Sequence, residues 1–234
     1  MTSSPILITG AAQRVGLYCA KRWLAEGKAV IVSYRTEHTA IKELHAAGAT
    51  LIQADFQSVS AIMAFINELK HTTNSLRAII HNASEWLSDT AGNAFEKLFM
   101  VHMQAPYLIN LHCAELLVNG GAADIIHLSD DVVSKGSTNH IAYCATKAGL
   151  ENLTFSFAQL LAPKVKVNAI APALVMFNKL DDRAYKEKTI NKSLLEIVPG
   201  EQEIFKAINY LLDSTNVTGT VLKVNGGRHL KYGC

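Results

Sequence analysis

The stretch Ile6-Leu7-Ile8-Thr9-Gly10-Ala11-Ala12-Gln13-Arg14-Val15-Gly16 decides how the rest of the chain is read. A short apolar run, of the kind buried on both faces of a parallel strand, enters a turn with two glycines. The turn opens into a helical pattern, Arg14–Glu26, that stops at Gly27, a natural C-terminal stop. Glycine in such a turn lets the backbone approach a pyrophosphate, and the helix behind it offers N–H groups and positive partial charge. A plain tight turn would look much the same. The position after the first strand favours the phosphate-binding reading.

Working outward, the same alternation continues. Pro5–Thr9, Ala29–Ser33, Thr50–Gln53, Arg77–His81, Asp124–Ser129, Lys164–Ile170 and Thr220–Val224 read as short apolar strands. Between them lie the helical stretches Arg14–Glu26, His38–Ala47, Ser58–Lys70, Asn93–Val118, Ala142–Leu161 and Glu201–Leu212. Strand–helix repetition predicts an α/β fold, a parallel sheet covered by helices on both sides, with ligands outside the carboxyl ends of the strands. The polar segment Ala171–Pro199 reads as irregular.

Composition bounds the function. The chain has 234 residues, 49% hydrophobic and 18% charged, enough apolar material for a full core. A net charge of +2 gives no bulk attraction to nucleic acid or anionic membrane, so neither is expected as a partner. Cys19, Cys113, Cys144 and Cys234 lie far apart without CxxC pairing, which suits reduced thiols. The first ten residues lack a basic n-region, and no apolar run approaches the roughly 18 residues that span a bilayer. A cytoplasmic location is therefore expected. The nine histidines form no HExxH pair, and no metal is expected.

Two further places carry chemistry. The second strand ends in Ser33-Tyr34-Arg35-Thr36. A carboxylate here would hold the ribose 2′-OH of NAD; a basic residue with hydroxyl neighbours is either a solvated arginine or a partner for the 2′-phosphate of NADP, and the glycine turn favours the latter. Asp55, after the third strand, either accepts from the adenine amino group or caps the next helix. Tyr143 and Lys147 are one helical turn apart and share a face, a spacing that an ordinary surface helix pair also shows. A nearby ammonium is expected to favour the phenolate and lower the tyrosine pKa, making the pair usable for proton transfer.

These pieces together resemble the short-chain dehydrogenase/reductase family over the whole chain. They are Thr9-Gly10…Gly16, His81-Asn82-Ala83-Ser84, Tyr143-Cys144-Ala145-Thr146-Lys147, Asn168…Pro172 and Thr218-Gly219…Gly226-Gly227, in family order and spacing. The resemblance implies one domain over residues 1–234, a three-layer, doubly wound Rossmann fold of about seven parallel strands. Departures from the usual pattern narrow it. Arg14 stands where a middle glycine is usual, and Asp130 replaces the serine 13 residues before the tyrosine. Asn82-Ala83-Ser84, followed by Glu85-Trp86, replaces Asn-Ala-Gly. These features resemble the pteridine reductase branch. Val32-Ser33-Tyr34-Arg35-Thr36, Gln53-Ala54-Asp55-Phe56, His140-Ile141-Ala142-Tyr143 and Asn191-Lys192-Ser193-Leu194 support a close match to its bacterial members. Further departures are His102, where the family has an asparagine that holds a water, and Ala173 after Pro172, where a glycine is usual. His102 either relays a proton or is a packed side chain.

The resemblance implies NADPH-dependent reduction of a 7,8-dihydropterin to the tetrahydropterin. Dihydromonapterin is the expected substrate and dihydrofolate a secondary one. Gly10, Arg14, Val15, Gly16, Ser33, Tyr34, Arg35, Thr36, Asp55, Phe56, Asn82, Ala83, Ser84, Tyr143, Lys147 and Pro172 would hold NADP(H). Arg14, Ser84, Trp86, Asp130 and Tyr143 would hold the pterin, with Trp86 stacking on the flat ring. Tyr143, Lys147 and Asp130 would be catalytic, and a carboxyl group at Asp130 would need burial to stay protonated. Relatives form dimers and tetramers, so a homo-oligomer is expected. The alternatives are a carbonyl or 3-oxoacyl reductase of the same family, which Asp130 argues against, and a non-catalytic NADP-binding sensor, which Tyr143 with Lys147 argues against.

Overall fold

A computed structural model describes residues 4–231. The elements run β1 (Ile6–Ile8), α1 (Arg14–Ala25), β2 (Val30–Tyr34), α2 (Thr39–Ala46), β3 (Thr50–Gln53), α3 (Val59–Thr72) and β4 (Ala78–His81). They continue with α4 (Ala94–Phe99), α5 (Ala105–Asn119), β5 (Ala123–Leu128), α6 (Ile141–Leu161), β6 (Val165–Pro172), α7 (Arg183–Ile190), α8 (Glu201–Asp213) and β7 (Val221–Val224). The strands form one sheet in the order β3-β2-β1-β4-β5-β6-β7, every pair parallel. The order reverses between β1 and β4, where the chain leaves one half of the sheet for the other. A crevice opens there at the strands' carboxyl ends.

Register explains why both faces of the sheet are apolar. Ile6 lies beside Val30 and Ala78, and Leu7 beside Ile31 and Ile79. Successive side chains point to opposite faces. Ile6, Ile8, Val30, Val32 and Ile80 pack under α1, α2 and α8, whereas Leu7, Ile31, Ile79, Ile125 and Val167 pack under α3, α5 and α6. Trp23 of α1 is fully buried against Phe205 of α8, and its Nε1–H donates to Asn209 Oδ1 at 3.1 Å.

Two expectations are corrected. The stretch Asn93–Val118 is not one helix: α4 and α5 are separated by a widened π-type turn, Met100–Gln104. Pro106 has no N–H, and its ring would collide with the carbonyl four residues back, so a regular α-helix through it would be kinked or broken. The wide turn leaves Pro106 in the first turn of α5, where no donor is needed. The segment Ala171–Pro199 is not wholly irregular, because it contains α7. That helix has almost no apolar face to betray it, since only Thr189 is buried. A cap holds it instead: the Asp182 carboxylate accepts from the Tyr185 N–H at 2.7 Å.

Among the described residues no helix is long and apolar enough to cross a membrane. Cys19, Cys113 and Cys144 are unpaired and buried. Cys234 lies outside the described residues.

Candidate active site

A cleft of about 500 Å³ runs over the carboxyl ends of β1, β2, β4, β5 and β6. Its floor is the glycine turn. Gly10 has φ 66°, and a Cβ there would sit 2.7 Å from the Cα of Ala83. Gly16 lies off the cleft wall. Its missing side chain makes room for Asn82, whose Nδ2 would be 2.5 Å from an added Cβ. Asn82 Nδ2 donates to the carbonyls of Thr9 and Gly10, both at 2.9 Å, and Thr9 Oγ1 accepts from the N–H groups of Asn82 and Ala83. Ser33 Oγ accepts from the Gly10 N–H at 3.2 Å. No side chain caps α1, so its first-turn N–H groups remain available where Gln13, Arg14 and Val15 meet the cleft.

Arg14 adopts a left-handed backbone, φ 52°, where a glycine would be unstrained. Its guanidinium spans the cleft to Asn178 Oδ1 at 2.8 Å, in the segment that follows β6. Tyr34, Arg35 and Thr36 line the far end. Arg35 Nη1 is 3.0 Å from Glu85 Oε2. The cap of α3 is Ser58, which accepts from the Ala61 N–H, so Asp55 is left on the cleft wall and is not a cap. Phe56 borders the cleft, but its ring turns into the core against Phe65.

At the other end, Tyr143 Oη donates to Asp130 Oδ2 at 3.0 Å. The second oxygen of Asp130 accepts from the Val132 N–H at 2.9 Å and caps the short helical turn Asp131–Ser134. Asp130 is thus both a cap and the tyrosine's partner. Lys147 Nζ donates to the Leu128 carbonyl at 2.8 Å and stands 5.8 Å from the centre of the Tyr143 ring. The expectation that Lys147 lowers the tyrosine pKa is corrected. Burial, reinforced by the Asp130 carboxylate, pushes Tyr143 well above its ordinary value. Burial also raises Asp130, against the pull of the Val132 N–H and the Lys147 charge. Burial lowers Lys147 to about 8.

Trp86 is 61% exposed and belongs to no core. Its ring lies against His140 at 4.1 Å and Tyr143 at 4.6 Å between centroids, which puts an aromatic ring beside the tyrosine but outside the residues that line the cleft. Asp89 sets the start of α6 by accepting from the N–H groups of Ile141 and Ala142. Those bonds hold its carboxyl below the usual range.

His102 sits in the widened turn and is buried. Its Nε2 accepts from the Glu85 N–H at 3.2 Å and lies 2.9 Å from Ser84 Oγ. Nδ1–H therefore donates to Thr146 Oγ1, at 2.9 Å. Burial, helped by the Lys147 charge, holds its pKa down to about 2, so the ring stays neutral. It is a packed, fully bonded side chain. The structure gathers Ala83, Ser84 and Pro172 on the same cleft wall. Sequence reasoning assigns no role to Glu85, Gln57 or Asn178. Each pairs with a residue many positions away, and no local pattern announces that.

A glycine turn at a sheet switch point, with tyrosine and lysine on the helix that faces it, defines a class. The model of the short chain dehydrogenase family matches residues 4–188, and the chain belongs to that family. Within it, the chain is 50% identical to a dihydromonapterin reductase of Klebsiella pneumoniae, over 97% of each. It is 51% identical to a dihydromonapterin reductase of Enterobacter sp., again over 97% of each. Among solved structures it is similar to FolM alternative dihydrofolate reductase 1 from Brucella canis, complexed with NADP. That match has a TM-score of 0.88, 23% identity, and coverage of 100% of this chain and 96% of that one. A putative betaketoacyl-ACP reductase superposes with a TM-score of 0.85 at 24% identity, over 99% of this chain and 100% of that one. At such identities the likeness is one of fold.

Proposed function

We propose that this chain reduces a 7,8-dihydropterin, dihydromonapterin foremost and dihydrofolate secondarily, to the tetrahydropterin with NADPH. The observation that carries this is the Tyr143–Asp130 hydrogen bond beside an exposed tryptophan face. Hydride addition to a carbonyl or to an imine leaves an atom that must take up a proton, and a carboxyl group in the Asp130 position, unlike a serine hydroxyl, can resupply the proton that Tyr143 gives to a ring nitrogen. The similarity to the two dihydromonapterin reductases supports the same reading.

The cleft fits the cofactor. Gly10 on the cleft lining and the uncapped start of α1 suit a pyrophosphate. Arg35, with Ser33 and Thr36, suits a 2′-phosphate, and Asp55 suits the adenine amino group. Lys147 would hold the nicotinamide ribose. The chemistry supplied by bound NADPH is a hydride for C6 of the substrate's C6=N5 imine. Trp86 stacks on the pterin, Arg14 and Ser84 offer donors to its edge, and Tyr143 gives its proton to N5. When Asp130 is protonated it donates to the phenol oxygen, frees the tyrosine O–H for N5, and replaces the proton as it leaves. When Asp130 is ionised, the O–H is held by the carboxylate.

The deciding assay is NADPH oxidation with dihydromonapterin, dihydrobiopterin, dihydrofolate and a panel of ketones. Turnover of ketones alone ends the pterin reading. Trp86→Ala should raise KM for dihydropterins about tenfold, the scale of one aromatic stacking contact, with NADPH affinity unchanged. If neither constant moves, Trp86 does not hold the substrate.

Asp130 also predicts a pH dependence. Its pKa is raised, so kcat should fall as pH rises through that value. A second, separate decline lies near 8 as Lys147 loses its charge. In Asp130→Asn the amide donates to the phenol without titrating. The first decline should vanish and the second remain, at a lower plateau. The same profile in both proteins would remove Asp130 from the proton path.

The same reading makes the protein a cytoplasmic homo-oligomer. Exposed Phe95, Tyr107 and Leu111 on α4 and α5, and Phe155 and Leu160 on α6, supply apolar surface for a dimer or tetramer. Sedimentation as a monomer at working concentration would contradict it.

A further inference from the structure

Glu85 stands on the wall of the cofactor cleft, where neither the hydride nor the proton step needs a carboxylate. It is held from three sides. Its N–H donates to His102 Nε2 at 3.2 Å. Its Oε2 accepts from Arg35 Nη1 and from Gln57 Nε2, both at 3.0 Å. The side chain is only 22% exposed, while that of Arg35 is 56% exposed. Ser84, one residue before, lies against the same nitrogen of the neutral His102. The backbone under Glu85 is thereby pinned, and its carboxylate occupies a fixed place in front of the guanidinium.

We propose that Glu85 is a specificity-determining residue, an internal carboxylate that competes with the 2′-phosphate of NADP(H) for Arg35 and so restrains the preference for the phosphorylated cofactor. The inference rests on the reading of Arg35 as the 2′-phosphate partner. A guanidinium presents its donors in a fixed fork, and here one arm is already engaged. A phosphate arriving at that fork must displace the carboxylate or share the arginine with it, and the two anions repel. The 2′-hydroxyl of NAD(H) differs, because a carboxylate in this region can accept from it. Neutralising Glu85 therefore acts differently on the two cofactors. It strengthens binding of the 2′-phosphorylated one and does not strengthen binding of the other.

The test is equilibrium binding of NADPH, NADH and adenosine 2′,5′-bisphosphate, by calorimetry, to the wild-type protein, Glu85→Gln, Arg35→Ala and the double variant. Glutamine keeps the shape and size of the side chain. In Glu85→Gln the ratio of NADPH to NADH affinity should rise about tenfold, the equivalent of one lost charge-assisted competitor. The bisphosphate should tighten in parallel. On the Arg35→Ala background the same substitution should have a much smaller effect, because the contested partner is gone. If Arg35→Ala collapses the ratio but Glu85→Gln leaves it within about twofold of wild type, Glu85 does not compete and the reading of Arg35 stands. If Arg35→Ala itself leaves the ratio unchanged, both fail together.

Discussion

Tyr143→Phe should lower kcat by roughly 10²–10⁴-fold, the usual contribution of a positioned general acid, with NADPH affinity retained. The phenyl ring keeps its packing against Trp86 and His102 and its place above Lys147. The variant removes one oxygen and one proton. Asp130 Oδ2 loses its donor, but its other oxygen keeps the Val132 N–H, so the local turn should persist. Single-turnover hydride transfer, measured beside equilibrium binding of NADPH, separates the chemical step from cofactor capture. Turnover near that of wild type would mean that N5 takes its proton from elsewhere.

Arg35→Asp should cut the preference for NADPH over NADH by roughly 100-fold. A hydrogen bond to a charged group contributes about 1.5–3 kcal/mol, and each 1.4 kcal/mol is tenfold. The introduced carboxylate would also stand beside Glu85, so that two anions would face an incoming 2′-phosphate. Affinities for both cofactors, determined on the same preparation, give the ratio directly. An unchanged ratio would take Arg35 out of cofactor recognition. Arg35 is more than half exposed, and its surface position should let the fold tolerate the change.

Much of this architecture was legible in the sequence because burial on both faces leaves an unambiguous mark. Ile6-Leu7-Ile8 and Ile125-Ile126 are apolar on every side chain, as a strand covered from above and below requires, and their shortness and β-branching favour strand over buried helix. The elements that escaped lacked such a mark. α7 is held by an aspartate cap and not by an apolar stripe, and the break between α4 and α5 follows from one proline inside an otherwise helical pattern. For the site, Gly10 in its turn and Tyr143 with Lys147 on one helical face were readable from local spacing, whereas Asp130, which lies within reach of the phenol, was readable only from the family resemblance. Relations that depend on packing were not legible. The Lys147 ammonium was expected to govern Tyr143, yet desolvation governs both groups, and the depth of burial has no local sequence signature. The pairing of Arg35 with Glu85, 50 residues apart, exists only once β2 and β4 are laid into one sheet.

Asp130 has a thermodynamic side as well. A carboxyl whose pKa is raised on folding binds its proton more tightly in the native state than in the unfolded one. Its contribution to stability is complete below the unfolded pKa and is lost as pH rises through the folded value. Above that folded value this carboxyl therefore opposes the fold that holds it. An asparagine in its place would not be drawn into that titration, and its amide oxygen can still accept from the Val132 N–H. Asp130→Asn should accordingly melt at a higher temperature than wild type at pH values above the folded pKa of Asp130 and lose that advantage in acid. A selection for heat resistance applied to this protein would drift toward the slower enzyme.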